Sequence, residues 1–181
     1  MHRIVAHLMV FAALLASSSF GVSGVSTAQA ATNTTAWAEN VIYVYDMTAK
    51  IDKKDGSSVW PVYKAAERWD NGNPVDYRYT TRGCPAESQC VIVKQAELAA
   101  PTVGVTTIAR LGTEIKAVTV VLDTTFGRTS SSAERRNVTC HELGHALGLK
   151  HRIETSTCLT SNATSKQYPD ARDIKNLNDM Y

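Results

Sequence analysis

The sequence predicts an α+β or mixed α/β fold in which helices pack on a twisted sheet. Segments rich in β-branched and aromatic residues recur between residues 41 and 123, as is typical of strands. One segment with apolar residues at helical spacing follows the first of these strands, and two more helical segments follow the last. The 181 residues are 44% hydrophobic and 20% charged, which is ordinary for one globular domain.

The N-terminal residues are typical of an export signal. Arg3 provides a basic start, residues 4–16 are mainly apolar, and small residues continue to an A-x-A sequence ending at Ala30. The apolar run is shorter than the roughly 20 residues that a membrane-spanning helix needs, and an uncleaved anchor is the alternative. We predict a signal peptide over residues 1–30 and one secreted, extracellular domain over residues 31–181.

The mature chain begins with a loose lead-in over residues 31–40. Residues 41–45 are β-branched and aromatic and predict the first strand. Residues 57–70 have apolar side chains near helical spacing and predict a helix, which the Asn71-Gly72-Asn73-Pro74 run ends. The alternating pattern of residues 75–80 predicts the second strand.

The remaining elements continue the same pattern. Three further segments are strand candidates: residues 90–93, 104–110 and 116–123. The last two turn around Leu111-Gly112. A helix is predicted to begin after the serines that end at Ser132 and to run to about Leu147. A final helix over residues 170–180 is entered through Pro169.

All four cysteines lie in the predicted mature region. An even number of cysteines in an exported chain favours two disulfides over free thiols or a thiolate metal site. Four cysteines allow three pairings. We favour Cys84–Cys90, which closes a short loop, and Cys140–Cys158, which ties the segment described next to the loop beyond it.

Residues 141–151 match the pattern H-E-x-x-H-x-x-G-x-x-H. On a helix, residues four apart lie on one face, so His141 and His145 can bind one zinc ion. His151 would be too far away on a continuous helix, and Gly148 is the residue that can make the chain turn back. Three histidine ligands leave a position for water, which is the arrangement of a catalytic zinc site.

Glu142 follows the first predicted ligand directly. Its carboxylate can take a proton from a metal-activated water and pass it to the leaving amine, which predicts hydrolysis of amide bonds. A chance match on an amphipathic helix is one alternative. The three histidines of the motif are, however, the only histidines outside the predicted signal region. A catalytically dead descendant is another alternative, and the retained Glu142 counts against it.

From Thr139 to His151 the sequence resembles the metzincin zinc peptidases, and residues 167–181 resemble the closing helix of small secreted bacterial members. These include matrixin-like and snapalysin-like enzymes, and the third histidine is closer to the matrixin-like pattern. The resemblance implies a mostly parallel sheet with an antiparallel edge strand, an active-site helix, a C-terminal helix and a cleft across the zinc. Residues 104–110, or the segment after them, could be the edge strand that binds extended peptide.

The resemblance also implies a methionine turn beneath the zinc, but no methionine lies between His151 and Met180. Leu159 is the best occupant by position, and its volume is similar to that of methionine. Tyr168 is a candidate for the substrate pocket, with simple packing as the alternative. Acidic residues could hold calcium, although no loop of the D-x-[DN]-x-[DN]-G type supports such a site.

The sequence therefore predicts a secreted endopeptidase that uses one catalytic zinc ion and acts on protein or peptide. One alternative is a secreted zinc amidase of narrow specificity, and another is an inert binding module on the same fold. A net charge of +2 indicates neither nucleic acid nor a membrane surface as partner. The small size favours a monomer.

Overall fold

One mixed sheet organises the molecule. The computed structural model describes residues 35–48, 59–161 and 165–181, so the predicted signal peptide lies outside the described residues. Within these ranges the sheet has five strands: β1 (Val41–Asp46), β2 (Asp76–Thr80), β3 (Cys90–Ala96), β4 (Gly104–Leu111) and β5 (Glu114–Asp123). The spatial order is β2-β1-β3-β5-β4. All neighbours are parallel except β4 and β5, which confirms a mostly parallel sheet with β4 as its antiparallel edge.

Alternating side chains explain why the central strands form this sheet. In β1 the side chains of Ile42 and Val44 are buried, and their immediate neighbours are half-buried. The same alternation places Val91 and Val93 of β3 in the core, because residues two apart in a strand point to one face. The edge strand β4 alternates between half-buried and exposed side chains instead.

Four helices are present in the described ranges: α1 (Val62–Trp69), α2 (Thr124–Thr129), α3 (Ser132–Ala146) and α4 (Ala171–Met180). The first helix begins after Pro61, later than predicted, and residues 57–58 lie outside the described part of the chain. Proline has no N–H to donate and is therefore well suited to a helix start.

Local capping sets the other helix starts. Helix α2 was not predicted from the sequence, and Asp123 caps it by accepting from the Phe126 N–H. Helix α3 has a capping box between Ser131 and Glu134. Asp170 caps α4, so this residue is the cap rather than the first helical residue.

The interpretation of residues 31–40 as a loose lead-in is wrong for Ala36 and Trp37. The Ala36 N–H donates to the Thr113 carbonyl at 3.1 Å, and the Ala36 carbonyl accepts from the Ile115 N–H at 2.7 Å. The Trp37 side chain is only 4% exposed, and its indole N–H donates to the Ala146 carbonyl at 2.9 Å. This segment therefore joins the hairpin between β4 and β5 to the end of α3.

Both favoured disulfides, Cys84–Cys90 and Cys140–Cys158, are present. The second links α3 to the loop that follows His151. In the parts of the chain that the structure describes, every helix falls short of the length and apolar character needed to cross a membrane.

Candidate metal centre

Three histidine side chains converge at the C-terminal part of α3. The imidazole Nε2 atom of His141 lies 3.0 Å from that of His145 and 3.1 Å from that of His151. Their ring centroids are 4.5 to 5.0 Å apart. Among the histidine, cysteine and acidic side chains of the described ranges, these three form a group close enough to bind one metal ion.

A sharp turn brings His151 back to the helix. The N–H of Gly148 donates to the His145 carbonyl at 2.9 Å, and the N–H of Leu149 donates to the Gly144 carbonyl at 3.2 Å. These two bonds form a Schellman motif, with Gly148 in the left-handed conformation at a φ of 85°. A Cβ atom at Gly148 would lie 1.8 Å from the carbonyl oxygen of Thr35. Both the backbone angle and the space at this position therefore require glycine.

Backbone carbonyls orient two of the imidazole rings. His141 Nδ1 lies 2.8 Å from the carbonyl oxygen of Cys158, and His145 Nδ1 lies 2.8 Å from that of Leu149. A carbonyl can only accept, so both Nδ1 atoms carry the proton. The unprotonated Nε2 atoms then face one another. Burial lowers the pKa of both imidazoles, which favours the neutral form that binds metal.

These three residues fit a zinc ion. Lone pairs on adjacent Nε2 atoms repel unless a cation lies between them. Nitrogen ligands at 2.0–2.1 Å from a tetrahedral zinc lie about 3.3 Å from one another, close to the spacing of the three Nε2 atoms. The second nitrogen of a metal-binding histidine usually donates to a carbonyl or carboxylate, as His141 and His145 do.

Glu142 is buried beside the histidines, with 6% of its surface exposed. The hydroxyl of Thr106 on β4 donates to its carboxylate oxygen Oε2 at 2.6 Å. Burial raises the pKa of Glu142, and the Thr106 hydrogen bond opposes that rise. The carboxylate is therefore held by the edge strand as well as by its own helix.

An open cleft of about 590 Å³ connects Glu142 and the histidines with the edge strand. Five residues of β4 line the cleft: Gly104, Val105, Thr106, Ile108 and Arg110. A smaller pocket of about 150 Å³ lies beside Glu142 and is lined in part by Asn137 and Thr160. The cleft therefore gives access to the histidines along the direction of a strand.

Leu159 and the second disulfide lie beneath this centre. Leu159 is fully buried, and a Cβ atom at Gly144 would lie 2.7 Å from its Cδ2 atom. Leu159 thus packs directly on α3 at Gly144. The disulfide between Cys140 and Cys158 joins the helix to the residue whose carbonyl orients His141.

Aromatic side chains hold α3 in place. The last four carbonyls of a helix have no partner within the helix. In α3, Tyr77 donates to the Leu143 carbonyl at 3.0 Å and Trp37 donates to the Ala146 carbonyl at 2.9 Å, while the Schellman turn uses the two carbonyls between them. Tyr181 donates to the Leu147 carbonyl at 3.2 Å. These residues were missed from the sequence, where nothing distinguishes them from ordinary core aromatics.

An ionic cluster holds the chain after His151. The guanidinium of Arg152 lies 2.6 Å from a carboxylate oxygen of Asp173, which is fully buried on α4. It also contacts Asp170 at 3.3 Å and Glu154 at 2.9 Å. The Arg152 N–H donates to the Leu159 carbonyl at 2.9 Å. The residue next to the third histidine is therefore fixed to both α4 and the loop beneath α3.

Tyr168 is not one of the described residues that line the cleft. Its side chain is 55% exposed and its ring stacks under the guanidinium of Arg68, 3.9 Å from the ring centroid. Tyr168 borders a separate cavity together with Arg68. This arrangement therefore gives no support to the prediction that Tyr168 contacts a substrate bound at the histidines.

The sequence profile of the matrixin peptidase family matches residues 53–181. The matched range includes α3, the turn at Gly148 and α4. No curated protein matches the chain in sequence.

Proposed function

This chain belongs to the matrixin family of zinc metallopeptidases, and on that premise we propose that it is a secreted endopeptidase. In this proposal His141, His145 and His151 bind one zinc ion and Glu142 is the general base. The observation that carries the proposal is the convergence of three Nε2 atoms beside a buried carboxylate in one open cleft.

The residues have distinct roles in hydrolysis. A zinc ion bound here would act as a Lewis acid that polarises the scissile carbonyl and lowers the pKa of water to about 7. The imidazoles of His141 and His145 are kept neutral by burial and are oriented by backbone carbonyls. Glu142 takes a proton from the attacking water on a carboxylate oxygen. It then gives that proton to the amine nitrogen as the C–N bond breaks.

The shape of the cleft supports an extended peptide as substrate. Strand β4 is hydrogen-bonded to β5 along one side, and its other side is the edge of the sheet. Such an edge offers unpaired N–H and C=O groups to an added strand. Because β4 lines the same cleft as Glu142 and the histidines, a peptide lying along this edge would pass them.

Export is part of the proposal. Residues 1–30 have the features of a cleavable signal peptide. The two disulfides are compatible with an oxidising compartment outside the cell. The mature enzyme would then be a single domain over residues 31–181 that acts as a monomer.

The test is hydrolysis of a fluorescent casein by chain 31–181, together with zinc content, for wild type and Glu142→Ala. Glu67→Ala, which changes an exposed glutamate on α1, is the matched control. We expect zinc in all three proteins and hydrolysis by wild type and the control. We expect Glu142→Ala to be at least about 100-fold slower. Folded wild type without zinc would overturn the proposal.

Two other functions would give different results in the same assay. A narrow-specificity amidase would carry zinc and ignore casein, yet cleave one member of a library of defined peptides. An inert binding module would carry zinc and cleave neither. The buried Glu142 beside the histidines favours catalysis, because metal binding alone does not require a base there.

A further inference from the structure

Two residues of β4 contact the carboxylate of Glu142. The Thr106 hydroxyl donates to Oε2 at 2.6 Å and also lies 3.0 Å from the backbone carbonyl oxygen of Glu142. At 2.6 Å the bond to Oε2 has the length typical of a hydroxyl that donates to an ionised carboxylate. The hydrogen bond therefore connects the edge strand to the proposed general base, although the two residues lie on different elements.

Gly104 faces the other carboxylate oxygen. It precedes Thr106 by two residues, so both positions lie on the same face of β4. A Cβ atom at Gly104 would lie 2.7 Å from Glu142 Oε1 and 2.9 Å from its Cγ. Because glycine has no side chain, Oε1 of Glu142 can occupy this space. One oxygen is held by a hydroxyl and the other fits against a bare Cα.

From these contacts we propose that Thr106, aided by Gly104, is the positioning residue for Glu142 and holds its carboxylate in one rotamer. The proposal rests on the proposed function, since it assigns Thr106 to the base of that reaction. Thr106 uses one lone pair of Oε2, and the other lone pairs of the carboxylate remain to take a proton from water. The bond also fixes the base relative to β4, the strand along which substrate would lie.

The chemical consequence is an effect on turnover. A glutamate side chain rotates about three bonds, and a misplacement of about 1 Å in a catalytic group can slow a reaction by about 100-fold. The hydroxyl of Thr106 hydrogen-bonds to Glu142 and is not one of the three histidine ligands, so its loss should not remove zinc. An interaction that matters only for the base should lower kcat and leave KM nearly unchanged.

The kinetic test compares Thr106→Val, Thr106→Ser and Thr107→Val. The first removes the hydroxyl at similar volume, the second keeps it, and the third makes the same change on the exposed face of β4. We expect kcat of Thr106→Val to fall roughly 10- to 100-fold, with KM changed less than about twofold. Thr106→Ser should recover kcat to within about threefold of wild type, and Thr107→Val should equal wild type. Equal kcat for Thr106→Val and wild type would overturn the proposal.

Crystal structures of the zinc-loaded proteins provide a readout that does not depend on activity. In Thr106→Val and in Gly104→Ala we expect the Glu142 carboxylate to leave its wild-type position, while in Thr106→Ser it should stay. The Gly104→Ala variant should remain folded, because its Cβ meets atoms of the Glu142 side chain rather than backbone. An unmoved carboxylate in Thr106→Val would overturn the positioning role.

The two readouts separate this proposal from the function on which it rests. If wild type hydrolyses no peptide, the proposed function fails, and the crystal structures still decide whether Thr106 holds Glu142. If wild type is active and Glu142→Ala is inactive, but Thr106→Val behaves like wild type, the function stands and the role of Thr106 is wrong.

Discussion

The carbonyl oxygen of Cys158 lies 2.8 Å from Nδ1 of His141, and the disulfide partner of Cys158 is Cys140, the residue directly before His141. The loop that orients the imidazole is thus covalently attached to the helix at the adjacent position. The three histidines and Glu142 all lie between the two cysteines in sequence.

Removing this disulfide should weaken both folding and zinc binding. For Cys140→Ser/Cys158→Ser we expect the free energy of unfolding to fall by about 3 kcal/mol, because the open loop has more conformational entropy when unfolded. Zinc affinity should fall roughly 10- to 100-fold, because the carbonyl that orients His141 is no longer held. Denaturant unfolding and zinc titration measure the two effects.

The matched control is Cys84→Ser/Cys90→Ser, which opens the loop before β3. We expect a loss of about 2 kcal/mol from this shorter loop and no change in zinc affinity. Equal zinc affinities for the two double variants would show that the Cys140–Cys158 bond does not support the metal centre.

Gly148→Ala should disrupt the turn to His151. Any non-glycine residue in this left-handed conformation costs about 1–2 kcal/mol, and the new Cβ would also clash with the Thr35 carbonyl. Gly112→Ala is the control, since its φ is 61° but its Cβ would meet nothing within 4 Å. We expect only Gly148→Ala to lose zinc affinity, and its unfolding free energy to fall further. Thermal melts and zinc titration of both variants check this, and identical losses would argue against the clash.

Tyr77→Phe should destabilise the protein by leaving the Leu143 carbonyl unpaired. Burial raises the pKa of Tyr77 well above its ordinary value, so its hydroxyl keeps the proton that it donates. We expect the free energy of unfolding to fall by about 1–2 kcal/mol. The same change at Tyr63, which is 50% exposed, should alter it by less than about 0.5 kcal/mol. Urea denaturation of the two variants measures the difference, and a neutral Tyr77→Phe would contradict this role.

Arg152→Met should be strongly destabilising because it leaves the buried Asp173 without its cationic partner. The loss of one member of a buried pair costs about 3–5 kcal/mol. Lys175→Met is the control, since its pair with Asp179 is exposed and should contribute less than about 1 kcal/mol. Denaturant unfolding of both variants measures these losses. Comparable losses would mean that Asp173 is solvated once Arg152 is removed.

Much of the site was predictable because the motif spacing alone places its parts. A separation of four residues on a helix brings His141 and His145 together, and Gly148 marks the turn that returns His151. Most strands were predictable too, since the central ones alternate buried and less buried residues.

Other parts depend on contacts between elements that are distant in sequence. The bond between Thr106 and Glu142 spans 36 residues, and no local pattern marks it. The anchoring of Trp37 on Ala146 spans 109 residues, so a segment without strand or helix signals is in fact part of the core. Helix α2 has only six residues, and its cap, Asp123, is also the last residue of the predicted strand over residues 116–123.

The range that matches the family begins at residue 53, whereas β1 ends at Asp46. Trimming the chain to the matched range would therefore remove β1, which lies between β2 and β3 and pairs with both. Two new strand edges would be exposed, and α3 would lose the donor that Trp37 provides. Such unpaired edges favour aggregation. We therefore expect that stable expression needs β1 and Trp37 in addition to the range that matches the family.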